Sequence, residues 1–193
     1  GQDGAYLSKL LLDKKYKVIG TSRHQKTNLI NLKKIGVNKN IKIVRLNPKN
    51  KMSVKKLLSS TIIDEIYYFS GISSVSYSHK FPEKTLYENT IGLINILESC
   101  RAINHKIKIY NASSSECFGS SLKKINEKSN FSPVSPYALS KVINSLLIKN
   151  YRDNLKIWAV NGYSFNHDSI LRPKHFILKK IANYLKSNKK KKL

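Results

Sequence analysis

The feature that most constrains the fold is an alternation of short apolar strand patterns with helix-period patterns along the 193 residues. The strand-like runs, rich in β-branched and aromatic residues, are 16–20, 41–44, 65–69, 107–112 and 157–164. The helix-period segments are 2–12, 53–60, 83–104, 136–151 and 174–185. This order predicts an α/β fold with a doubly wound parallel sheet, in which ligands bind at the carboxyl ends of the strands.

The chain opens on a glycine-containing turn, GQDG, directly before a helix pattern. Glycine lets the backbone approach a pyrophosphate, and the helix N-terminus supplies free N–H groups and a positive dipole. We interpret the turn as the second half of a dinucleotide-binding loop, with an ordinary helix start as the alternative. Such a turn normally follows a strand, and the last helix pattern runs into Lys189–Lys192 with no closing element. We therefore expect a fragment whose first strand is missing.

The residues after the strand 16–20 bear on the choice of dinucleotide. An NAD-specific fold usually places Asp or Glu here to accept hydrogen bonds from the ribose, whereas Arg suits a 2′-phosphate. The stretch Thr21-Ser22-Arg23-His24 contains no acid. Arg23 therefore predicts NADP, with an exposed loop arginine as the alternative.

Tyr137 and Lys141 lie four residues apart in a helix pattern, so they share one helix face. A nearby ammonium stabilises phenolate and is expected to lower the pKa of Tyr137, which would let it accept a hydroxyl proton. A YxxxK pattern arises often by chance. Its weight comes from the segment 111–116 (NASSSE), which leaves a strand and places hydroxyls and one carboxylate at the same end of the sheet.

Four stretches resemble the extended short-chain dehydrogenases and, within them, the GDP-mannose 4,6-dehydratases. They are 1–20, 111–119 (NASSSECFG), 135–141 (SPYALSK) and 161–173 (NGYSFNHDSILRP). The resemblance implies a Rossmann-like NADP-binding part over 1–165 and a truncated start of the substrate-binding part over 166–193. It implies conversion of GDP-mannose to GDP-4-keto-6-deoxymannose, a hydro-lyase reaction in which NADP is recycled internally.

The resemblance also implies a role for each matching residue. Ser114 would hydrogen-bond the sugar O4, Tyr137 would be the base at O4, and Glu116 the base at C5. Lys141 would hold the nicotinamide ribose, and Asn166 would contact the sugar. The implied cofactor contacts are Gly1, Gln2, Asp3, Gly4, Arg23, Asn47, Ser70, Gly71, Ser73, His167 and Arg172. Asn47 stands where the family usually has an Asp, and FSGIS at 69–73 replaces a more usual Leu-Gly/Ala-Ala pattern.

The composition indicates whether the protein is expected to bind nucleic acid or a membrane. The formal charge is +25, yet only five of the 36 basic residues are Arg. Nucleic-acid readers favour clustered Arg, so we expect a solvated lysine surface and no nucleic acid. No apolar stretch approaches the about 20 residues of a membrane span, and the two cysteines suggest a reducing compartment. We expect a cytoplasmic protein without a metal site, and a homo-oligomer for the full-length protein.

Three alternatives stay open. An epimerase or reductase of the same fold would use the Tyr137–Lys141 pair without a C5 base. A catalytically inactive remnant would bind nucleotide weakly or not at all, and a basic nucleic-acid-binding protein is the third.

Three further expectations concern local structure. The Ser-rich segment 70–78 follows a strand and lies where ligands usually bind, with a plain polar loop as the alternative. Cys117 is expected to be a buried structural thiol rather than a nucleophile, and it points away from Glu116 if the chain there is extended. Trp158 is expected to lie in the core.

Overall fold

The structure is a computed structural model that describes residues 1–23, 29–103, 106–121, 124–174 and 176–189. The helices are α1 Gln2–Asp13, α2 Ile30–Lys34, α3 Lys51–Ser60, α4 Val75–Lys80, α5 Pro82–Ile103, α6 Pro136–Leu155 and α7 Ile177–Lys189. The strands are β1 Ile19–Ser22, β2 Lys42–Arg45, β3 Glu65–Tyr68, β4 Lys108–Ser114 and β5 Ala159–Ser164. This order confirms the predicted α/β fold. Among the described residues, no helix is long and apolar enough to cross a bilayer.

All strand pairs are parallel, as the alternation predicts. β1 pairs with β2, and a second sheet has the order β3-β4-β5. The chain forms two compact units, one of Gly1–Arg45 with His167–Leu193 and the other of Leu46–Asn166. The first unit contains β1 and β2, and the second contains the three-stranded sheet.

The core of the second unit forms where α3, α5 and α6 pack on β3, β4 and β5. Parallel strands are covered on their faces by the crossover helices, so their apolar side chains are buried. Leu93 and Leu97 of α5 and Ile109 of β4 have no exposed surface. The buried members of this cluster are Val54, Leu58, Tyr68, Leu93, Ile96, Leu97, Cys100, Ile107, Ile109, Ile148, Ile157 and Ala159.

The structure bears on two of the local expectations, and the one for Trp158 is wrong. The segment 70–78 is not all loop, because α4 begins at Val75 and the Ser74 side chain caps it by accepting a hydrogen bond from the Tyr77 N–H at 3.2 Å. Trp158 is 50% exposed rather than buried, with the Lys108 ammonium 5.9 Å from its ring centre. A serine caps a helix as readily as it lines a loop, and an apolar run does not show which of its side chains face outward.

Candidate active site

The end of β4 carries two of the predicted site residues. Ser114 is the last residue of the strand, and a single 3-10 turn over Ser115–Phe118 follows it. The Ser114 hydroxyl accepts a hydrogen bond from the Glu116 N–H at 3.3 Å, which caps the turn. The cap fixes Glu116 two residues beyond the strand end, at the edge of the sheet where parallel α/β folds bind ligands.

Helix α6 carries the other two predicted catalytic residues, Tyr137 and Lys141. Its first residue is Pro136, and the Ser135 side chain accepts a hydrogen bond from the Ala138 N–H at 3.0 Å. Proline at the first helical position and serine before it are favoured starts. Tyr137 and Lys141 therefore lie in the first two turns, with the Lys141 Nζ 5.8 Å from the centre of the Tyr137 ring.

The two elements meet at the predicted residues. The Tyr137 hydroxyl lies next to the Ser114 side chain and within electrostatic reach of Glu116. The Lys141 ammonium donates to the backbone oxygen of Ala112 at 2.7 Å. The structure thus brings Ser114, Glu116, Tyr137 and Lys141 together within one compact unit, whereas their roles stay predictions.

The expected direction of the Tyr137 pKa is wrong. Burial raises this pKa above its ordinary value of 10.0; the nearby Ser114 hydroxyl opposes the rise, and the acidic groups of Glu116 and Cys117 add to it. Removing a phenolate from water disfavours the charged form. In the chain alone this cost exceeds the stabilisation that the Tyr–Lys pair predicts.

Burial also acts on Lys141, in the opposite direction. It lowers the pKa of the ammonium from 10.5 to about 8, since the charged form of a lysine loses hydration when it is buried. The folded chain therefore binds fewer protons than the unfolded chain between these two values. By linkage, Lys141 makes the free energy of unfolding rise with pH from about 8 to 10.5.

Replacing Lys141 with Met is therefore expected to stabilise the chain. Below about pH 8 the variant no longer buries a cation, and we expect its free energy of unfolding to rise by about 1–3 kcal/mol. The gain should shrink as pH rises toward the ordinary lysine pKa. Urea denaturation without dinucleotide at neutral and alkaline pH measures it, with Lys149→Met, an exposed lysine of the same helix, as control. A loss of stability at neutral pH would contradict the prediction.

Cys117 is buried, as expected of a structural thiol, although the chain around it is not extended. The chain at 115–118 is a 3-10 turn rather than extended, and Cys117 is fully buried under the end of β4. Its sulfur lies 3.4 Å from the hydroxyl of Ser113.

Within the described part of the chain, no hydrogen bond or ion pair engages the Glu116 carboxylate, which is partly exposed. That carboxylate is free to act on a ligand.

The loop after β3 contains the predicted contacts Ser70, Gly71 and Ser73, and sequence reasoning missed the residue that shapes it. Asn89 of α5 accepts from the Ile72 N–H at 2.6 Å and donates to the Ile72 oxygen at 3.1 Å. Gly71 has φ of +146°, and a Cβ there would lie 2.7 Å from Asn89 Oδ1. The loop therefore needs glycine where it meets the asparagine. A buried polar residue in an apolar helix face was the available signal.

The first unit brings two distant segments together. The His167 ring Nε2 lies 2.8 Å from an Asp3 carboxylate oxygen, and the Ser169 hydroxyl donates to Gln2 Oε1 at 2.7 Å. Gln2 is 3% exposed although it is the first residue of α1. The predicted glycine turn and the predicted contact His167 are thus neighbours.

The remaining predicted contacts lie on the surface or in loops. Asn47 is exposed and its side-chain oxygen accepts from the Lys49 N–H at 3.2 Å. Arg172 is held by Asp168 at 3.0 Å, and Arg23 and Asn166 are exposed. The lysines 190–192 lie outside the described residues.

The fold defines a class, the Rossmann fold of parallel α/β proteins. Two solved structures show the fold. A dTDP-glucose 4,6-dehydratase from Streptomyces venezuelae with NAD and TYD bound has a TM-score of 0.84 at 19% identity, over 96% of this chain and 59% of that chain. A UDP-glucuronic acid 4-epimerase from Bacillus cereus in complex with NAD has a TM-score of 0.83 at 22% identity, over 97% of this chain and 60% of that chain.

Within that class the sequence matches one family. The model of the family GDP-mannose 4,6 dehydratase matches residues 1–193. GDP-mannose 4,6 dehydratase 1 of Arabidopsis thaliana is 35% identical over 96% of this chain and 54% of the relative. The GDP-mannose 4,6-dehydratase of Sinorhizobium fredii (strain HH103) is 34% identical over 94% of this chain and 54% of the relative. The chain belongs to the GDP-mannose 4,6-dehydratase family, and it spans about half the length of these curated relatives.

Proposed function

We propose that this site dehydrates a nucleotide-linked hexose, GDP-mannose, to GDP-4-keto-6-deoxymannose with NADP recycled internally. The observation that carries the proposal is the carboxylate of Glu116 beside Tyr137. Oxidation, reduction or epimerisation at C4 requires the tyrosine but no base at carbon, whereas elimination across C5 and C6 requires one. Membership of the family supports the same reaction and the same substrate.

Each compact unit has residues that suit a part of a nicotinamide dinucleotide. The Lys141 ammonium has three donors and gives one to Ala112, so donors are left for ribose hydroxyls at the mouth of the site. The loop of Gly71 presents backbone close to its neighbours, and the glycine turn opens helix α1. Arg23 is suited to a 2′-phosphate, which favours NADP. When bound, the dinucleotide supplies a hydride acceptor for C4 and a hydride donor for C6.

The residues of the chain would then act in sequence. Tyr137 removes the O4 proton, and Ser114 shares the hydrogen bond to that oxygen. The C4 carbonyl that results acidifies the C5–H bond. Glu116 removes the C5 proton and passes it to the C6 hydroxyl, which leaves as water as the C6–O bond breaks. C5 takes up a proton from solvent when C6 is reduced. Lys141 holds the ribose and stays close to the Tyr137 ring.

We also propose the division at residue 165, with the dinucleotide bound by 1–165 and the substrate-binding part beginning at 166. A cytoplasmic homo-oligomer is proposed for the full-length protein. The two free buried cysteines, Cys100 and Cys117, support a reducing compartment.

The purified full-length protein, incubated with GDP-mannose and a trace of NADP, is expected to form the 4-keto-6-deoxy product. Proton NMR should show the new C6 methyl group while the total of reduced dinucleotide stays constant. UDP-glucose serves as the control sugar and should remain unchanged. Titration should give tighter binding of NADP than of NAD. Formation of a C4 epimer would indicate the epimerase alternative. Failure to bind either dinucleotide would indicate the catalytically inactive alternative.

A further inference from the structure

Helix α6 is joined to the end of β4 by three polar contacts at successive turns. The Tyr137 hydroxyl lies next to the Ser114 side chain, and Lys141 donates to the Ala112 oxygen at 2.7 Å. One turn further along, the Ser145 hydroxyl lies 2.8 Å from the hydroxyl of Ser113. Residues four apart share a helix face, so a single face of α6 holds residues 112–114.

The third contact extends to the turn that carries Glu116. The Ser113 hydroxyl is also 3.4 Å from the sulfur of Cys117, the residue after Glu116. Ser113, Cys117 and Ser145 are 5%, 0% and 2% exposed. One buried hydroxyl, that of Ser113, therefore connects the catalytic helix with the 3-10 turn.

Because this connection is buried, the loss of one of its hydrogen bonds is expected to shift the groups that it joins. A serine hydroxyl has one donor and can accept as well, so Ser113 can bond both neighbours at once. Water does not replace a partner that is lost at a buried site, and the remaining group then stays unpaired or moves. The Ser145 backbone oxygen also accepts from Asn161 Nδ2 at 3.1 Å, which ties the same residue to β5. Ser145 is thus held from two strands.

We propose that Ser145 is a positioning residue that sets the spacing between Tyr137 on α6 and Glu116 on the turn, acting through Ser113 and Cys117. Ser145 is 2% exposed, so it is assigned no contact with substrate or dinucleotide. The proposal rests on the proposed function for its catalytic consequence. Its structural part, that Ser145 holds the turn, can be tested without turnover.

The catalytic test compares Ser145→Ala with Ser99→Ala in the full-length protein. Ser99 is a matched control because it is 2% exposed, lies in helix α5 and has a hydroxyl without a hydrogen-bond partner among the described residues. We expect Ser145→Ala to lower kcat about tenfold, since misplacement of reacting groups by a fraction of an ångström reduces rate. KM for GDP-mannose and Kd for NADP should change less than about twofold, as should every constant of Ser99→Ala.

A double-mutant cycle shows whether the effect passes through Ser113. If it does, Ser113→Ala with Ser145→Ala should lower kcat no more than Ser145→Ala alone, because both remove the same contact. Multiplication of the two single effects would overturn the proposal. So would a kcat for Ser145→Ala equal to that of Ser99→Ala at saturating substrate.

Hydrogen exchange separates this proposal from the proposed function. Amides of 115–118 should exchange at least about fivefold faster in Ser145→Ala, because the turn loses its buried anchor. They should be unchanged in Ser99→Ala. Unchanged exchange in Ser145→Ala overturns the proposal whatever the substrate is. Faster exchange in a protein that does not convert GDP-mannose would leave the anchoring role of Ser145 supported and the proposed function refuted.

Discussion

Tyr137→Phe is expected to lower kcat for GDP-mannose about 10³-fold, the scale of a lost general base. The phenyl ring can keep the packing of α6, but it has no oxygen to take the O4 proton or to bond Ser114. Ground-state binding changes little, so KM for the sugar should stay within a few-fold. Steady-state kinetics of the full-length protein measure both constants, and dinucleotide titration shows whether the site still forms.

Tyr151→Phe is the matched control for this substitution. Tyr151 lies in the same helix, and its hydroxyl donates to a Glu98 carboxylate oxygen at 2.8 Å, away from Ser114 and Glu116. The variant should retain kcat within about twofold while losing the stability of one hydrogen bond, about 1 kcal/mol. A Tyr137→Phe enzyme as active as Tyr151→Phe would show that another group removes the O4 proton.

The placement of the site residues was predictable because it depends on local rules. The i, i+4 spacing puts Tyr137 and Lys141 on one helix face whatever surrounds them. Parallel strands joined by helices bring the ends of successive strands to one edge. The residues after β4 and at the start of α6 therefore had to approach each other, and Ser114 and Tyr137 do so.

The features of the site that the sequence did not predict depend on contacts between distant residues. The pKa of Tyr137 follows from how much of the ring is buried, which no spacing rule contains. The shape of the loop after β3 follows from Asn89, 17 residues beyond Ile72. The 3-10 turn at 115–118, capped by Ser114, turns Cys117 under Ser113. Sequence patterns predict element types more readily than the packing partners of single side chains.

Glu116→Gln is the second substitution with a large expected effect, a fall of about 10²–10⁴-fold in formation of the dehydrated product. The amide is nearly isosteric with the carboxylate but cannot accept the C5 proton. Exchange of that proton with solvent deuterium, followed by NMR of the sugar, should be lost with the dehydration. The control is Glu127→Gln, the same change at an exposed glutamate of the β4–α6 connection, which should leave product formation and exchange unchanged.

The two catalytic variants together determine which chemistry each residue performs. Oxidation at C4 precedes loss of the C5 proton, because the C5–H bond is acidic only beside a carbonyl. Tyr137→Phe should therefore abolish both keto-sugar formation and C5 exchange. Glu116→Gln should still form the keto sugar, detected by carbonyl trapping with hydroxylamine, and lose only exchange and dehydration. Normal dehydration by Glu116→Gln would remove the observation on which the dehydratase proposal rests and would favour an epimerase or reductase that needs no base at carbon.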